Sequence, residues 1–390
     1  MVGRRTLMHG TGASVLAAMV GLPRSSALAQ YALAAPSMIV HRGYPLNAEP
    51  RGDLLRASFT TQQSDFYIRA HGTIPQIQAQ GYKLRIGGQG LRNQELSLEE
   101  IQSRFPQRRI TAVLQCAGNR RADMGLLKHV SGDAWQAGAI SNAEWSGVSL
   151  GDVLRAAGVQ EGSDRHVAFD AHDEIEEEGE RFRYGVSIPL AKALAAETLL
   201  AFTMNGEPLT PQHGFPLRVV VPGYAGVRSP KWLAAITVQD KPSANRIQAK
   251  EYLLLPPEMT KLTEDLSKGI VINDMPLNSA ILVPATGARL PAGAASLKGY
   301  AIATGQPIAR VEVSADGGRE WTKAEIEQHP DTPWSWTFWS ASLNLSRGNH
   351  ELVVRAVDGA GKAQPATAEE IWNFPGYLCT AWHRVPVVVD

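Results

Sequence analysis

The chain has few cysteines and no net charge. Only Cys116 and Cys379 occur among its 390 residues, so at most one disulfide can form and a disulfide scaffold is excluded. Lys plus Arg and Asp plus Glu each total 38, so no net field draws the whole protein to nucleic acid or to an anionic membrane. With 44% hydrophobic and 19% charged positions, the chain is globular and long enough for two domains.

Long apolar runs are also missing. No segment after the N-terminus approaches the roughly 18 consecutive apolar residues that a membrane span needs, so none is predicted. The N-terminus itself reads Gly3-Arg4-Arg5-Thr6, continues with small and apolar residues, and reaches Ala27-Leu28-Ala29. This order is typical of a twin-arginine export signal, with an ordinary amphipathic helix as the alternative. Residues 1–29 are therefore predicted to be a signal that directs the folded protein to the periplasm.

Helices and strands alternate in the first two-thirds of the chain. Ser97-Leu98-Glu99-Glu100 has the pattern of a capping box, and Pro106 ends the helix that it starts. A second short helix is predicted from Leu150 to Ala157, capped by Ser149 and ended by Gly158. Tyr82 to Ile86, Ile110 to Gln115 and Leu217 to Val221 are β-rich. Residues 30–245 are therefore predicted to form a mixed α+β domain.

Alternating strands dominate after about residue 245. Arg310 to Ser314 leads through Asp316-Gly317-Gly318 into Glu320-Trp321-Thr322, which is typical of a hairpin. Trp334, Trp336 and Phe338 alternate in the next run, and His350 to Val357 predicts another strand. Short strands at such spacing indicate that residues 246–390 form an immunoglobulin-like β sandwich.

Cys116 has the surroundings of a metal-binding thiolate. It follows an apolar strand in Leu114-Gln115-Cys116-Ala117-Gly118-Asn119-Arg120-Arg121. Neighbouring positive charge favours the thiolate, and a thiolate is a good ligand for a soft or high-valent metal. A buried, inert thiol is the alternative for a lone cysteine.

This octapeptide resembles the molybdenum-ligating segment of the sulfite oxidase family. The resemblance extends over essentially the whole mature chain, and it is carried by several further segments in the same order. These are Trp135-Gln136-Ala137-Gly138-Ala139-Ile140, Trp145-Ser146-Gly147-Val148, Met204-Asn205-Gly206-Glu207-Pro208-Leu209, His213-Gly214-Phe215-Pro216-Leu217-Arg218, Lys231-Trp232-Leu233 and Ala381-Trp382-His383-Arg384-Val385. The family implies a mixed molybdopterin-binding domain, followed by an immunoglobulin-like domain through which homodimers form.

The resemblance also implies roles for individual residues. Cys116 would be the only protein ligand of the molybdenum, and one pterin dithiolene would supply the other sulfurs. The cofactor would be bound by Tyr67, Ile68, Arg69, Ala70, His71, Cys116, Asp173, His213, Arg218, Ser229, Pro230 and Lys231. Arginine and lysine are suitable partners for a pterin phosphate. His213 taken alone is more typical of a structural histidine.

The implied reaction is oxidation of sulfite to sulfate by oxygen-atom transfer. Its catalytic pocket would be formed by Arg69, His71, Arg121, Trp135 and Tyr252. Guanidinium groups and an indole N–H suit a small oxyanion because they combine charge with directional donors. The electrons would then leave singly to another redox group.

One position departs from the family pattern. In Trp372-Asn373-Phe374-Pro375-Gly376-Tyr377, the family typically has an arginine where this chain has Pro375. Proline has neither a charge nor a donor. Either Arg228, His71 or Arg120 compensates, or the anion specificity differs. A relative that acts on another sulfur compound, or that works as a reductase, therefore stays open.

The chain contains no Cys-x-x-Cys-His motif, so we expect no haem in it and an external cytochrome c as the electron acceptor. The acidic run from Asp170 to Glu180 is a candidate docking site for a basic partner, with a solvated loop as the alternative. Cys379 is interpreted as a small buried hydrophobe. A non-catalytic scaffold with a degenerate cofactor domain is the alternative from another class.

Overall fold

The computed structural model describes residue 35, residues 37–162 and residues 164–390. The predicted export signal lies outside the described residues. Within them, no helix has the length and apolar character needed to cross a membrane.

Helices are short in the described part of the chain. The α-helices are α1 (Gly52–Leu55), α2 (Leu98–Arg104), α3 (Arg121–Gly125), α4 (Leu150–Ala157) and α5 (Leu190–Ala193). Single 3₁₀ turns are formed by Gln63–Asp65, Pro211–His213, Gly226–Arg228, Leu266–Lys268 and Ala368–Ile371, and Ile247–Glu251 forms a π-helical turn.

Three sheets and a short ribbon occupy residues 38–271. The first sheet contains β1 (Met38–Arg42), β2 (Asn47–Pro50) and β3 (Ile68–Arg69) in that order. The other strands are β4 (Lys83–Gly88), β5 (Gln94–Ser97), β6 (Gln107–Gln115), β7 (Ile140–Ser149), β8 (His166–Glu177), β9 (Glu180–Pro189), β10 (Leu199–Met204), β11 (Glu207–Pro208), β12 (Arg218–Val220), β13 (Leu233–Gln239), β14 (Leu253–Leu254) and β15 (Ile270–Val271). They pair as β5-β4-β13-β8-β9, as β11-β10-β7-β6 with β12 beside β10, and as the ribbon β14-β15.

A β sandwich follows. Its strands are β16 (Asn278–Val283), β17 (Arg289–Leu290), β18 (Gly293–Ile302), β19 (Ile308–Ser314), β20 (Thr322–Lys323), β21 (Glu325–Glu327), β22 (Thr337–Leu345), β23 (Gly348–Asp358) and β24 (His383–Val389). One sheet has the order β16-β18-β22-β21 and the other the order β17-β24-β23-β19-β20. Inward-facing side chains such as Leu297, Val311 and Leu352 are fully buried between the sheets. The predicted fold class, a mixed domain followed by a β sandwich, is confirmed.

Local signals positioned the two best-defined helices correctly. The Ser97 hydroxyl accepts a hydrogen bond from the Glu100 amide at 3.1 Å, and the Glu100 carboxylate accepts one from the Ser97 amide at 2.7 Å. Ser149 caps α4, which ends at Gly158 with a φ of 102°. Each cap satisfies amide groups that have no partner inside the helix.

The acidic run differs from the loop that charge patterning favoured. Asp170 to Glu177 belongs to β8, and Glu180 begins β9, so the run forms a β hairpin. Alternation along β8 buries Asp173, whereas Glu174 and Glu176 are exposed. The next aromatic run also differs, because β22 begins only at Thr337, after Trp334 and Trp336.

A continuous interface joins the first part of the chain to the sandwich. Leu55, Val113 and Ile140 pack against Tyr300 and Trp336 in one buried cluster. The amide of Val113 also donates to the carbonyl of Trp334 at 3.0 Å. The end of β6, where Cys116 follows, is therefore held from both parts. The domain boundary near residue 245 stays a prediction.

Candidate active site

Cys116 directly follows β6, at the point where a turn begins. Its amide donates to the carbonyl of Ala139 at 2.9 Å, and the amide of Gly118 donates to its sulfur at 3.4 Å. The side chain is 5% exposed. The long antiparallel pairing between β6 and β7 thus holds the sulfur in a fixed, nearly buried position.

A cleft with about 640 Å³ of empty space, its open mouth included, lies beside this sulfur. It brings together predicted residues from distant parts of the sequence: Tyr67, Arg69, His71, Cys116, Asp173, His213, Arg218, Ser229, Pro230, Lys231 and Tyr252. Four other predicted residues, Ile68, Ala70, Arg121 and Trp135, do not line it. Ile68 and Ala70 point their apolar side chains into a small core behind the cleft, where they pack with Trp232.

Arg218 and Lys231 bring basic side chains to the cleft. Arg218 donates to the carbonyls of His213 at 2.9 Å and Ser229 at 3.1 Å. Lys231 donates to the carbonyls of Arg69 at 3.1 Å and Gln212 at 2.9 Å. Burial lowers the pKa of Arg218 to about 10. Burial, with Arg218 nearby, lowers the pKa of Lys231 to about 7. A bound anion would stabilise both cations.

Asp173 and His213 are buried on the same cleft. Burial raises the pKa of Asp173 to about 7, although Lys231 opposes the shift. Its Oδ1 has no hydrogen-bond partner among the described residues. Burial and Lys231 lower the pKa of His213 to about 3, so that its ring is neutral. His213 Nε2 lies 2.9 Å from the carbonyl oxygen of Gln63, which fits a neutral ring donating from Nε2.

His71 and Tyr252 form a neutral pair on the cleft wall. The Nε2 atom of His71 lies 2.7 Å from the Tyr252 hydroxyl. Burial, with Arg69 and Lys231, lowers the pKa of His71 well below its ordinary value. Burial raises the pKa of Tyr252 to about 12, although Arg69 opposes the shift. The pair therefore shares a hydrogen bond without carrying charge at neutral pH.

Arg121 occupies a slot formed by three glycines. A Cβ atom added to Gly118 would lie 2.7 Å from the guanidinium carbon, and one added to Gly132 would lie 2.8 Å from Nη1. One added to Gly376 would lie 2.6 Å from Cγ. Within the slot, Nε donates to the carbonyl of Pro375 at 2.9 Å and Nη1 to that of Asp133 at 3.1 Å. Arg121 is close enough to Tyr252 to lower its pKa.

Trp135 packs in the same buried cluster as Cys116. Its side chain is fully buried, yet its indole N–H has no hydrogen-bond partner in the described part of the chain. The ring of His41 lies 4.9 Å away, centroid to centroid. A buried donor without a partner costs about 1–3 kcal/mol, so this N–H is available to a group that binds beside it.

Three residues are candidates to replace the charge missing at Pro375, and the structure places them differently. Arg120 is turned away from the cleft and donates to Asp123, Asn278 and two carbonyls in the domain interface. Arg228 is fully buried, bonded to Gln248 and to the carbonyl of Ile272, and does not line the cleft. His71 lines the cleft but is neutral. Compensation by Arg120 is therefore wrong. Arg228 keeps a buried Nη2 atom without a hydrogen-bond partner among the described residues, so compensation by Arg228 stays a prediction.

Sequence reasoning missed several residues of the site. The cleft is also lined by Phe66, Leu114, Ala117, Tyr184, Gly226, Val227 and Trp232. Tyr184 lies in β9, its hydroxyl donates to the carbonyl of Val227 at 2.6 Å, and its ring lies 5.2 Å from that of His71. Strand alternation marks Tyr184 only as inward-facing, and the glycine slot has no local signal because its members come from three separate loops.

The residues present fit a molybdopterin. The cleft is lined by three basic side chains, those of Arg69, Arg218 and Lys231, against one carboxylate, that of Asp173. Arg218 uses three of its five N–H donors on carbonyls, which leaves two for a phosphate. The unpaired Asp173 Oδ1 suits a donor of the pterin ring, and the Cys116 sulfur is the soft ligand that a high-valent metal needs.

Comparison with known proteins defines the class of this site. The chain matches the oxidoreductase molybdopterin binding domain over residues 71–247. It matches the Mo-co oxidoreductase dimerisation domain over residues 269–390. The protein is therefore a molybdopterin-dependent oxidoreductase.

Individual relatives narrow this class to one family. The chain is 41% identical to sulfite oxidase of Gallus gallus, covering 90% of this chain and 77% of that one. It is 37% identical to sulfite oxidase of Arabidopsis thaliana, covering 90% and 93%. It is 40% identical to mitochondrial sulfite oxidase of Homo sapiens and spans 66% of that protein. The chain belongs to the sulfite oxidase family.

A solved structure has the same fold. The sulfane dehydrogenase SoxCD from Paracoccus pantotrophus matches with a TM-score of 0.73 and 25% sequence identity, covering 96% of this chain and 92% of that one. The two proteins thus share the architecture of both parts of the chain at 25% sequence identity.

Proposed function

We propose that this protein oxidises sulfite to sulfate with a molybdenum–molybdopterin cofactor and passes the electrons to an external cytochrome c. The observation that carries the proposal is the single cleft in which Cys116 meets Arg69, His71 and Tyr252. The identity to sulfite oxidases supports sulfite as the substrate.

The cofactor would be held along the cleft. Cys116 would bind the metal, and Arg218 and Lys231 would bind the phosphate. Asp173 and His213 would contact the pterin. When bound, the cofactor supplies oxygen-atom transfer and accepts two electrons from the substrate.

Two residues that do not line the cleft complete the substrate pocket. Arg121 is fixed by the carbonyls of Pro375 and Asp133, so its remaining donors are oriented before substrate arrives. The free indole N–H of Trp135 offers a further donor. Arg69 bonds only through Nη1 within the described part of the chain, to Asn47 and the Ala70 carbonyl. These groups would bind the sulfite oxygens, and the neutral Tyr252 would donate a hydrogen bond to the reacting group.

The acidic hairpin is the proposed docking site for the cytochrome. It borders the cleft, because the Glu174 carbonyl accepts from the amide of Thr73, two residues after His71, at 3.2 Å. Glu177 is close enough to Arg69 for their charges to interact. A basic partner that docks there would approach the metal site closely. Negative charge next to the mouth also steers such a partner as it approaches.

Location and assembly belong to the same proposal. The twin-arginine pattern supports export to the periplasm, where cytochromes c are available. The match to a dimerisation domain supports a homodimer formed through residues 269–390.

A second candidate is oxidation of another sulfur compound, or reduction of an oxidised one. It is favoured by Pro375, which adds no charge where the family has an arginine, and by Arg120, which is bonded into the domain interface instead. The shared fold with a sulfane dehydrogenase is consistent with this alternative. A pocket with fewer cations discriminates less against a substrate of low charge.

Steady-state kinetics of the molybdenum-loaded protein with sulfite and cytochrome c test the proposal. We expect sulfite-dependent reduction of cytochrome c. A reductase would instead use a reduced viologen dye to reduce an oxidised compound. Such turnover, without any sulfite-dependent reduction of cytochrome c, would favour that alternative. Metal analysis of protein from a cofactor-competent host tests the scaffold alternative, which predicts less than stoichiometric molybdenum.

A further inference from the structure

Tyr377 packs directly on Tyr252. The two rings are stacked with centroids 5.2 Å apart and an interplanar angle of 16°. The Tyr377 hydroxyl donates to the carbonyl of Glu251 at 2.8 Å, so it also holds the backbone next to Tyr252. Tyr377 is 9% exposed and does not line the cleft. It therefore contacts a pocket residue from outside the cleft.

The same ring supports Arg121. The guanidinium carbon of Arg121 lies 5.2 Å from the centroid of the Tyr377 ring, which is a cation–π distance. Pro375 contributes its carbonyl to the same arginine, and Gly376 leaves room for the arginine's stem. One segment of three residues thus holds Arg121 in three different ways.

This segment is itself rigidly anchored. The side chain of Asn373 accepts from the amide of Tyr377 at 2.9 Å and donates to its carbonyl at 2.9 Å. The amide of Leu378 donates to the carbonyl of Ala117 at 2.8 Å, one residue after Cys116. The position of Tyr377 is thereby tied to the segment that carries the metal ligand.

We propose that Tyr377 is a positioning residue that sets the affinity of the pocket for an oxyanion. Its ring keeps the Arg121 guanidinium and the Tyr252 phenol in the geometry that binds the anion. Because Pro375 adds no cation, the pocket depends more strongly on the placement of Arg121. This inference rests on the proposed function in taking a sulfur oxyanion as the substrate.

The test compares Tyr377→Leu and Tyr377→Phe in the molybdenum-loaded protein. The leucine variant loses the aromatic face, so we expect the KM for sulfite to rise about tenfold while kcat stays within about twofold. A tenfold change corresponds to about 1.4 kcal/mol, within the range of a desolvated cation–π contact. The phenylalanine variant keeps the ring, and we expect its KM within about twofold of that of the parent.

Sulfate binding measured by calorimetry supplies a readout that needs no turnover. We expect the Kd for sulfate to rise by the same factor as the KM in Tyr377→Leu, and to be restored in Tyr377→Phe. Should the leucine variant fail to fold, Tyr377→Met takes its place, because the flexible methionine side chain adapts to the gap without an aromatic face.

Trp321→Leu is the matched control. Its ring stacks with Arg355 at 4.0 Å in the sandwich, so this substitution also removes a cation–π contact. We expect lower stability but an unchanged KM and an unchanged Kd for sulfate. A rise in KM in this control equal to that in Tyr377→Leu would trace the effect to general destabilisation and overturn the proposal.

The outcomes separate this inference from the proposed function. A parent that binds sulfate but does not oxidise sulfite, with weaker binding in Tyr377→Leu, refutes the proposed function and supports the role of Tyr377. A parent that oxidises sulfite, with the same KM and Kd in Tyr377→Leu, refutes the role of Tyr377. A parent that binds no sulfate, or a variant that loses kcat alone, also refutes it.

Discussion

The guanidinium of Arg121 donates from Nε to the carbonyl oxygen of Pro375 at 2.9 Å. Arg121 is therefore hydrogen-bonded to the backbone of Pro375, the residue that stands where the family typically has an arginine. An arginine at this position would place a second positive charge near Arg121. Two nearby cations repel each other, and a bound anion relieves that repulsion.

Pro375→Arg is therefore expected to lower the KM for sulfite several-fold, most strongly at low ionic strength where charge is least screened. Steady-state kinetics at two salt concentrations measure this effect. Pro375→Ala controls for loss of the proline ring and should leave the KM nearly unchanged. An unchanged or higher KM in Pro375→Arg would show that a missing cation does not limit binding.

Trp135→Phe removes the buried indole N–H that has no partner in the described structure. We expect the KM for sulfite to rise about tenfold, because a hydrogen bond to a charged group contributes about 1.5–3 kcal/mol. Some stability should also be lost, because the smaller ring leaves a void in the core. Trp339→Phe is the contrasting control: its N–H donates to the Tyr300 carbonyl at 2.9 Å, so it should lower the thermal midpoint and leave the KM alone. An unchanged KM in Trp135→Phe would show that this indole does not belong to the substrate pocket.

Gly118→Ala tests the slot around Arg121. The new Cβ would lie 2.7 Å from the guanidinium carbon, so the end of this flexible side chain must move. We expect a rise in KM of about tenfold in a folded protein. Gly125→Ala, four residues from Arg121, meets only Val130 at 3.6 Å and should behave like the parent. Equal KM values for the two variants would contradict the slot.

Cys116→Ser exchanges the soft thiolate for a hard hydroxyl, which binds a high-valent sulfur-ligated metal poorly. We expect sulfite-dependent ferricyanide reduction to be nearly abolished, with an unchanged circular dichroism spectrum. Cys379→Ala is the control, because Cys379 is buried away from the cleft and burial raises the pKa of its thiol to about 11. Parent-like turnover in Cys116→Ser would refute its role as a ligand.

His383 should make stability depend on pH. Burial, with Arg120 nearby, lowers its pKa from 6.5 to about 4, so the unfolded chain binds the proton more readily. This contribution to stability is complete above about pH 6.5 and is lost progressively as the pH falls towards 4. At pH 5 the expected loss is about 2 kcal/mol. Unfolding in urea at pH 7.5 and pH 5 measures it.

His383→Gln should reduce the difference in stability between these two pH values by about this amount. The same substitution at His329, an exposed residue, should leave the difference as in the parent. If His383→Gln keeps the full difference, other groups carry the acid sensitivity.

The resemblance to sulfite oxidases predicted most of the residues that line the cleft, because they lie in short continuous motifs. Ser229, Pro230 and Lys231 lie together in the chain and on the cleft wall, and Cys116 follows a strand with clear alternation. Arg120 was suggested as one replacement for the charge missing at Pro375, and this was wrong, since neighbouring residues in a turn point in different directions. Its φ of 62° and its bonds into the sandwich are decided by contacts with residues far along the chain.

Local sequence patterns were enough to predict the two-part architecture and the capped helices, because caps and strand alternation act locally. The proposed role of Cys116 as the metal ligand came from its motif. Only the tertiary structure decided how the pocket is completed. It assembled the glycine slot around Arg121 from three loops and left the indole of Trp135 unpaired. It also packed Tyr377 on Tyr252. These arrangements depend on the close packing of segments that are distant in the chain, which no local pattern specifies.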